Sequence, residues 1–288
     1  MNYNPILIVT GEPNSIFLEI FFKTIKYKKF KSPIILISSL KILKLQMKKL
    51  KFKNNINLIE YKNLKKNIIN NKSINLINVD YNQKKVFEKI SNKSNSFIKA
   101  SFDIALDILR DGISNKFING PISKKSFLNK NYLGITEYLA KKTNAKKTAM
   151  LIYNKNLSVC PLTTHLPLKM VTNKITKDLI YEKVSLIDNF YKKKRRLKPK
   201  IAILGLNPHC ESVHKYNEDE KILKPAIKNL FNQGYKIYGP FSADTFFLKD
   251  NRKKFDVVIG MYHDQVLTPF KTIFEYNAIN ITLGLPFI

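Results

Sequence analysis

Four histidines occur in the 288 residues, and three of them share one kind of position. His165 follows the apolar run Ser158–Leu162 through Thr163-Thr164, His209 follows Ile201–Leu206 through Asn207-Pro208, and His263 follows Asp256–Met261 through Tyr262. In α/β sheets ligands gather at the carboxyl ends of strands, and imidazole is the commonest protein ligand for zinc-like metals. Three such ligands leave a coordination position open for a substrate, which is the catalytic arrangement. The pattern therefore predicts a divalent metal held by His165, His209 and His263. His214, five residues past His209 in a polar stretch, reads as surface.

The neighbours of these histidines admit two readings each. Cys210 is either a soft metal ligand or a packed thiol. Asp244 and Asp264 either receive the second N–H of a metal-bound imidazole or cap a turn or helix. The two cysteines, Cys160 and Cys210, form no CxxC pair and imply no disulfide framework. No GxGxxG follows the first apolar run, and no GxxxxGK[ST] or GxSxG occurs. A bound dinucleotide would therefore sit outside the usual glycine-rich turn.

The elements that must position these loops alternate. Strands are expected at Ile6–Thr10, Pro33–Ser38, Ile56–Glu60, Ile74–Val79, Phe117–Asn119, Ile201–Leu206, Lys236–Tyr238, Asp256–Met261 and Ile279–Leu283, with a hairpin at Ala149–Tyr153 and Ser158–Leu162. Helical spacing marks Ile16–Lys26, Leu40–Leu50, Ser96–Asp111 and Ile175–Tyr191. Strand then helix, repeated, predicts an α/β fold with mostly parallel sheets. Asn67–Asn95 is the lowest-complexity stretch and reads as surface.

Lys and Arg number 51 against 21 Asp and Glu, a formal net charge of +30. Such charge can mark a nucleic-acid partner, but the lysines are spread over the whole chain instead of forming a stripe. Lys192-Lys193-Lys194-Arg195-Arg196 falls where a solvated linker is expected. The charge reads as compositional drift with no nucleic-acid partner, and its field would still draw in a phosphorylated substrate. No apolar run reaches the roughly 18 residues of a membrane helix, and the amino terminus lacks the pattern of a signal peptide. The reading is a cytoplasmic protein without a membrane partner.

Eight segments in order resemble the 4-hydroxythreonine-4-phosphate dehydrogenase family of the vitamin B6 pathway. They are GEP at Gly11–Pro13, NGPISK at Asn119–Lys124, GITEYLA at Gly134–Ala140, TTHLPL at Thr163–Leu168, LNPH at Leu206–His209, GPFSADT at Gly239–Thr245, MYHDQ at Met261–Gln265 and NITLGLPFI at Asn280–Ile288. The resemblance implies a two-domain fold like that of isocitrate and isopropylmalate dehydrogenases. The expected division is 1–124 with 260–288 as one α/β domain and 125–259 as the second, the latter carrying the dimer contacts, with the active site in the cleft between them.

It further implies a homodimer and NAD-dependent oxidation and decarboxylation of 4-phosphooxy-L-threonine to 3-amino-2-oxopropyl phosphate. The family's metal ligands fall on His165, His209 and His263, for zinc, cobalt or magnesium, in a site shared across the dimer interface. Its substrate positions fall on Ile135, Thr136, Lys271 and Asn280. Lys271, Asp244 and Asp264 are the expected catalytic residues.

Three departures stand out. The family has GHTE where this chain has Gly134-Ile135-Thr136-Glu137, so one substrate contact is lost or supplied elsewhere. Its glycine-rich AGIGPE reads Asn14-Ser15-Ile16-Phe17-Leu18-Glu19 here. The family continues past LGLPFI with a substrate-binding arginine and a terminal helix, so a truncated chain lacking that helix is the expectation. Ile135 keeps a related substrate open, a phosphorylated sugar acid such as 4-phospho-threonate or -erythronate. A metal-dependent hydrolase using the same histidines is the reading from another class.

Overall fold

The computed structural model describes residues 3–64, 69–128, 132, 134–211 and 217–288. Residues 1–138 with 286–288 form one compact unit and 139–285 a second. His214 lies outside the described residues.

The first unit is built on a parallel sheet. Its strands are β1 (Ile6–Val9), β2 (Ile34–Ser38), β3 (Ile56–Leu58), β4 (Ile74–Asn78) and β5 (Lys116–Asn119), in the order β3-β4-β2-β1-β5. Nearly continuous apolar runs suit strands covered on both faces. Helices α1 (Phe17–Tyr27) and α2 (Leu40–Lys49) bury Leu18, Phe21, Phe22, Ile42 and Leu43 against Ile8, Leu36 and Leu76. Ser39 caps α2 by accepting from the Ile42 amide. Helix α3 (Asn95–Arg110) packs on β1 and β2. The final residues return here, where the Phe117 amide donates to the Ile288 carbonyl at 2.6 Å.

The stretch expected to lie on the surface, 67–95, instead contains β4. Ile74, Leu76 and Ile77 are buried, as are the polar Gln83 and Ser94. The strand itself is the one expected at Ile74–Val79; the Asn-rich composition hid only its burial. Asn75 is itself buried, its amide donating to the carbonyls of Ile34 and Asn70.

Helix α4 (Ile135–Lys142) contains the boundary between the units. The second unit has β6 (Ala149–Tyr153), β7 (Ser158–Thr163), β8 (Ile201–Leu204), β9 (Ile237–Phe241), β10 (Val257–Tyr262) and β11 (Ile279–Leu283), in the order β11-β6-β7-β10-β8-β9. Strands β6 and β7 form the expected antiparallel hairpin, and β11 runs antiparallel to β6. The pairs β7–β10, β10–β8 and β8–β9 are parallel.

Alternation along the strands divides the core. Cys160, Leu162, Ile201, Ile203, Val257 and Ile259 face α5 (Lys177–Phe190) and α6 (Lys224–Asn232). Val159, Ala202, Leu204 and Val258 face Phe246 of α7 (Ala243–Phe246) and Val266, Leu267 and Phe270 of α9 (His263–Phe274). A further short helix, α8, spans Lys249–Arg252.

Several expectations are corrected. Residues 125–138 fall in the first unit and 260–285 in the second, because β10 lies between β7 and β8 and a cut at 259/260 would sever it. Tyr262-His263-Asp264-Gln265, read as a loop, passes directly from strand into α9. Helices α4 and α6 were not expected, their apolar spacing being diluted by lysines. Strand β9 runs on through Gly239-Pro240, across a register shift opposite Ala202 and Leu204, which an edge strand accommodates. The basic run 192–196 is exposed as expected, but Tyr191–Arg195 continue α5 as a wider π-type turn.

Candidate active site

Four adjacent parallel strands, β7-β10-β8-β9, end on one edge of the second unit's sheet. Tyr262 registers with Thr163, Ile259 with Ile203, and Leu204 with Phe241. Neighbouring strands lie about 4.8 Å apart, so their exits deliver His165, His263, His209 and Asp244 as a row. Thr163 Oγ1 donates to the Met261 carbonyl at 2.8 Å, tying β7 to β10. Gln265 ties β10 to β8: its Oε1 accepts from the Met261 amide at 2.6 Å and its Nε2 donates to the Gly205 carbonyl at 2.8 Å. Nothing in the MYHDQ segment at Met261–Gln265 marks Gln265 for this part.

The structure brings His165 and His263 together, with ring centroids 6.0 Å apart and planes tilted by 35°. His263 Nδ1 lies 2.7 Å from Asp264 Oδ1. A carboxylate on one ring nitrogen fixes the tautomer and leaves Nε2 as the acceptor, the arrangement of a metal-ligating histidine. Asp264 also stands in the first turn of α9, so both of its readings, imidazole partner and helix-end acid, describe its position.

His209 occupies the next strand exit, exposed, beside a cavity of ≈ 390 Å³ lined also by Cys210, Phe241, Ser242 and Phe255. Among the described residues no three His, Cys, Asp or Glu side chains gather into a group able to hold a metal ion. The donor types and the paired imidazoles fit a borderline cation, while His209 stands apart from the pair.

His165 and His209 adopt left-handed backbone, with φ of 54° and 55°. Histidine tolerates this region better than most residues. Cys210 follows at φ 60° and is buried, so it packs. Burial and nearby Asp219 push its thiol up, and burial pushes Cys160 up to about 12. Neither thiol is suited to nucleophilic work.

The other expected residues are spread more widely. Asp244 is exposed in the first turn of α7, where an acid complements the helix dipole. Lys271 is exposed on α9, eight residues or about 12 Å along the axis from His263. Asn280 is exposed on β11, registered with Ile152. Ile135 and Thr136 open α4 in the first unit, half-buried.

Comparison with known proteins places the chain. The profile of "Pyridoxal phosphate biosynthetic protein PdxA" matches residues 29–288. A 4-hydroxythreonine-4-phosphate dehydrogenase of a Sulfurihydrogenibium species is 39% identical over 289 residues, covering 98% of this chain and 87% of the relative. A D-threonate 4-phosphate dehydrogenase of Salmonella typhimurium is 34% identical over 187 residues, 64% of this chain and 57% of the relative. The crystal structure of 4-hydroxythreonine-4-phosphate dehydrogenase from Klebsiella pneumoniae superposes with a TM-score of 0.85 at 25% identity, covering 99% of this chain and 89% of that one. The chain belongs to the PdxA family of pyridoxal phosphate biosynthetic proteins.

Proposed function

We propose that the chain catalyses NAD-dependent oxidation and decarboxylation of 4-phosphooxy-L-threonine, yielding 3-amino-2-oxopropyl phosphate and carbon dioxide. The observation that carries this is the row of strand-end histidines with His165 and His263 paired, in a chain similar end to end to a dehydrogenase of that name. The fold is accordingly grouped with the isocitrate and isopropylmalate dehydrogenases.

His165, His209 and His263 are the residues that would hold a divalent cation, zinc, cobalt or magnesium. Such a cation would supply polarisation of the alcohol oxygen, and NAD would supply the hydride acceptor. Asp264 holds the His263 ring through Nδ1 and leaves Nε2 for the cation. Lys271 supplies a point charge for phosphate or carboxylate, and Thr136 and Asn280 supply hydrogen bonds. Asp244 adds negative charge near the histidines. The enzyme acts as a cytoplasmic homodimer with the histidine site completed across the interface. Leu168 and Met170, 65% and 47% exposed just after His165-Leu166-Pro167, supply apolar surface for that contact.

A second reading is favoured by one residue. Ile135 cannot donate a hydrogen bond or carry charge, and substrate choice resides in such contacts. A phosphorylated sugar acid such as 4-phospho-D-threonate or -erythronate is then the substrate. NADH formation with purified protein and each compound separates the two. Turnover of 4-phosphooxy-L-threonine with the higher kcat/KM supports the first reading, and turnover of a sugar acid alone overturns it.

A further inference from the structure

Asp219 is wholly buried on the turn Asp219–Leu223 that leads into α6. A buried carboxylate is costly unless its oxygens are hydrogen-bonded. Here both oxygens point at the exit of β8. Oδ1 accepts from the Leu206 amide at 2.8 Å, and Oδ2 accepts from the Asn207 amide at 3.0 Å and from Asn207 Nδ2 at 2.9 Å. Asp219 is held in turn by its own amide, which donates to Asn217 Oδ1 at 2.9 Å. Gly205 makes the approach feasible. A Cβ there would lie 3.0 Å from Asp219 Oδ1 and 2.6 Å from Cys210 Sγ.

Two residues beyond Asn207 the backbone turns left-handed at His209 and stays so at Cys210, with φ of 55° and 60°. Left-handed backbone is unfavourable for a residue with a Cβ. It persists only where the surroundings over-determine it. The constraints here are identifiable. Asp219 fixes the entry to the turn through three N–H groups. The buried Cys210 fixes its end, and the Cys210 amide donates to the Asn207 carbonyl at 3.1 Å. An acid that served only to cap its own turn would not direct both oxygens at a strand exit thirteen residues earlier in the chain.

We propose that Asp219 is the positioning residue for His209: it braces residues 206–207 so that the left-handed turn presents the imidazole at the strand edge. The proposal rests on the reading of His209 as a metal ligand. The test compares the whole wild-type chain with Asp219→Asn. It measures zinc affinity by competition with a chromophoric chelator, the visible absorption of the cobalt-substituted protein, and Cys210 alkylation in the metal-free protein, mapped by mass spectrometry.

Asp219→Asn is expected to weaken zinc binding about 10–100-fold, as loss of an outer-shell partner does. The cobalt bands should shift and Cys210 alkylation should quicken, with Cys160 still protected. Unchanged zinc affinity and cobalt spectrum overturn the proposal, whatever the alkylation rate. If Asp219→Asn does not fold, Asn207→Ala removes the Nδ2 arm alone. A loss of about threefold is then expected, given the modest net worth of one hydrogen bond, and no loss overturns the proposal. A wild-type chain without zinc affinity overturns the reading of the histidines itself. That outcome is distinct from failure at Asp219, in which wild type and variant bind zinc equally.

Discussion

The two units end their parallel strands in polar loops, and they use those loops in opposite ways. In the first unit the exits of β1 and β5 close on each other. The Glu12 amide donates to the Pro121 carbonyl at 2.8 Å, and a Cβ on Gly120 would lie 2.0 Å from the Thr10 carbonyl oxygen. The Glu12 carboxylate, 2% exposed, accepts from the Asn14 amide, Asn14 Nδ2 and Ser94 Oγ. Asn14 Oδ1 accepts in turn from Gln83 Nε2 and the Glu88 amide. In the second unit the corresponding edge carries His165 and His209, both exposed and both on left-handed backbone. The polar atoms of the first edge are consumed in holding that unit together. Those of the second are presented outward at a conformational cost. A polar residue at a strand exit is therefore not functional by position alone; what separates the two edges is where its hydrogen bonds go.

The comparison is broken most directly at the histidines. His165→Ala removes one member of the imidazole pair from an exposed turn. Loss of a ligand to the polarising cation is expected to lower kcat/KM by on the order of 10³-fold or more. The thermal midpoint should move by less than about 2 °C, as for surface substitutions generally. Steady-state kinetics and a melting curve on the same preparation check this. A large fall in stability would place His165 with Glu12 as a structural residue and erase the contrast between the edges.

The distinction was only half legible in the sequence. The strands and the α/β alternation were readable because runs such as Ile34–Ser38 and Val257–Tyr262 are continuous and β-branched. The histidines were readable because they follow such runs. The parts that decide their presentation were not. Gln265 and Asp219 act through backbone groups of β8's exit, contacts 60 and 13 residues away in the chain. No periodicity reports such pairings. Helix α9 is hidden because His263 is both the end of one pattern and the start of another, and the burial around β4 because Asn75 is hydrogen-bonded inside instead of being solvated. The glutamate of Gly11-Glu12-Pro13 gives no sign of being buried, since its partners Asn14 and Ser94 lie 2 and 82 residues further along the chain.

The reverse substitution sharpens the contrast. Glu12→Ala strands buried donors on Asn14 and Ser94 and opens space in a packed region. The expected loss is about 3 kcal/mol, a fall in melting temperature of roughly 6–12 °C. Zinc affinity of the folded protein should stay within about twofold of wild type, because the hydrogen bonds of the Glu12 carboxylate are made within its own unit. Urea unfolding and the chelator titration measure the two quantities. A stable Glu12→Ala with weakened zinc binding would mean that the first edge is also part of the site.

The smallest effect concerns pH, and it too separates the units. Burial pushes three groups up to about 12: Tyr138 in the first unit, and Tyr191 and Cys160 in the second. Tyr191 is buried against Ser158, whose hydroxyl lies 2.9 Å from its own, and Cys160 is fully enclosed in β7. Each group keeps its proton in the folded state after the unfolded chain has lost it. Below the ordinary values of 9.0 for cysteine and 10.0 for tyrosine the two states bind equal numbers of protons, and stability is flat. Above them the folded state binds more, so stability falls as pH rises toward about 12. Between about pH 8 and pH 10.5 the loss is on the order of 4 kcal/mol, about half of it from Cys160. Two of the three groups lie in the second unit, so amide exchange should open its strands β7 and β10 first as the solution is made alkaline. Cys160→Ala is expected to flatten the decline. An unchanged slope in that variant, or earlier opening of the first unit's β1 and β2, would show that the alkaline weakness is not set by the buried groups of the histidine-bearing sheet.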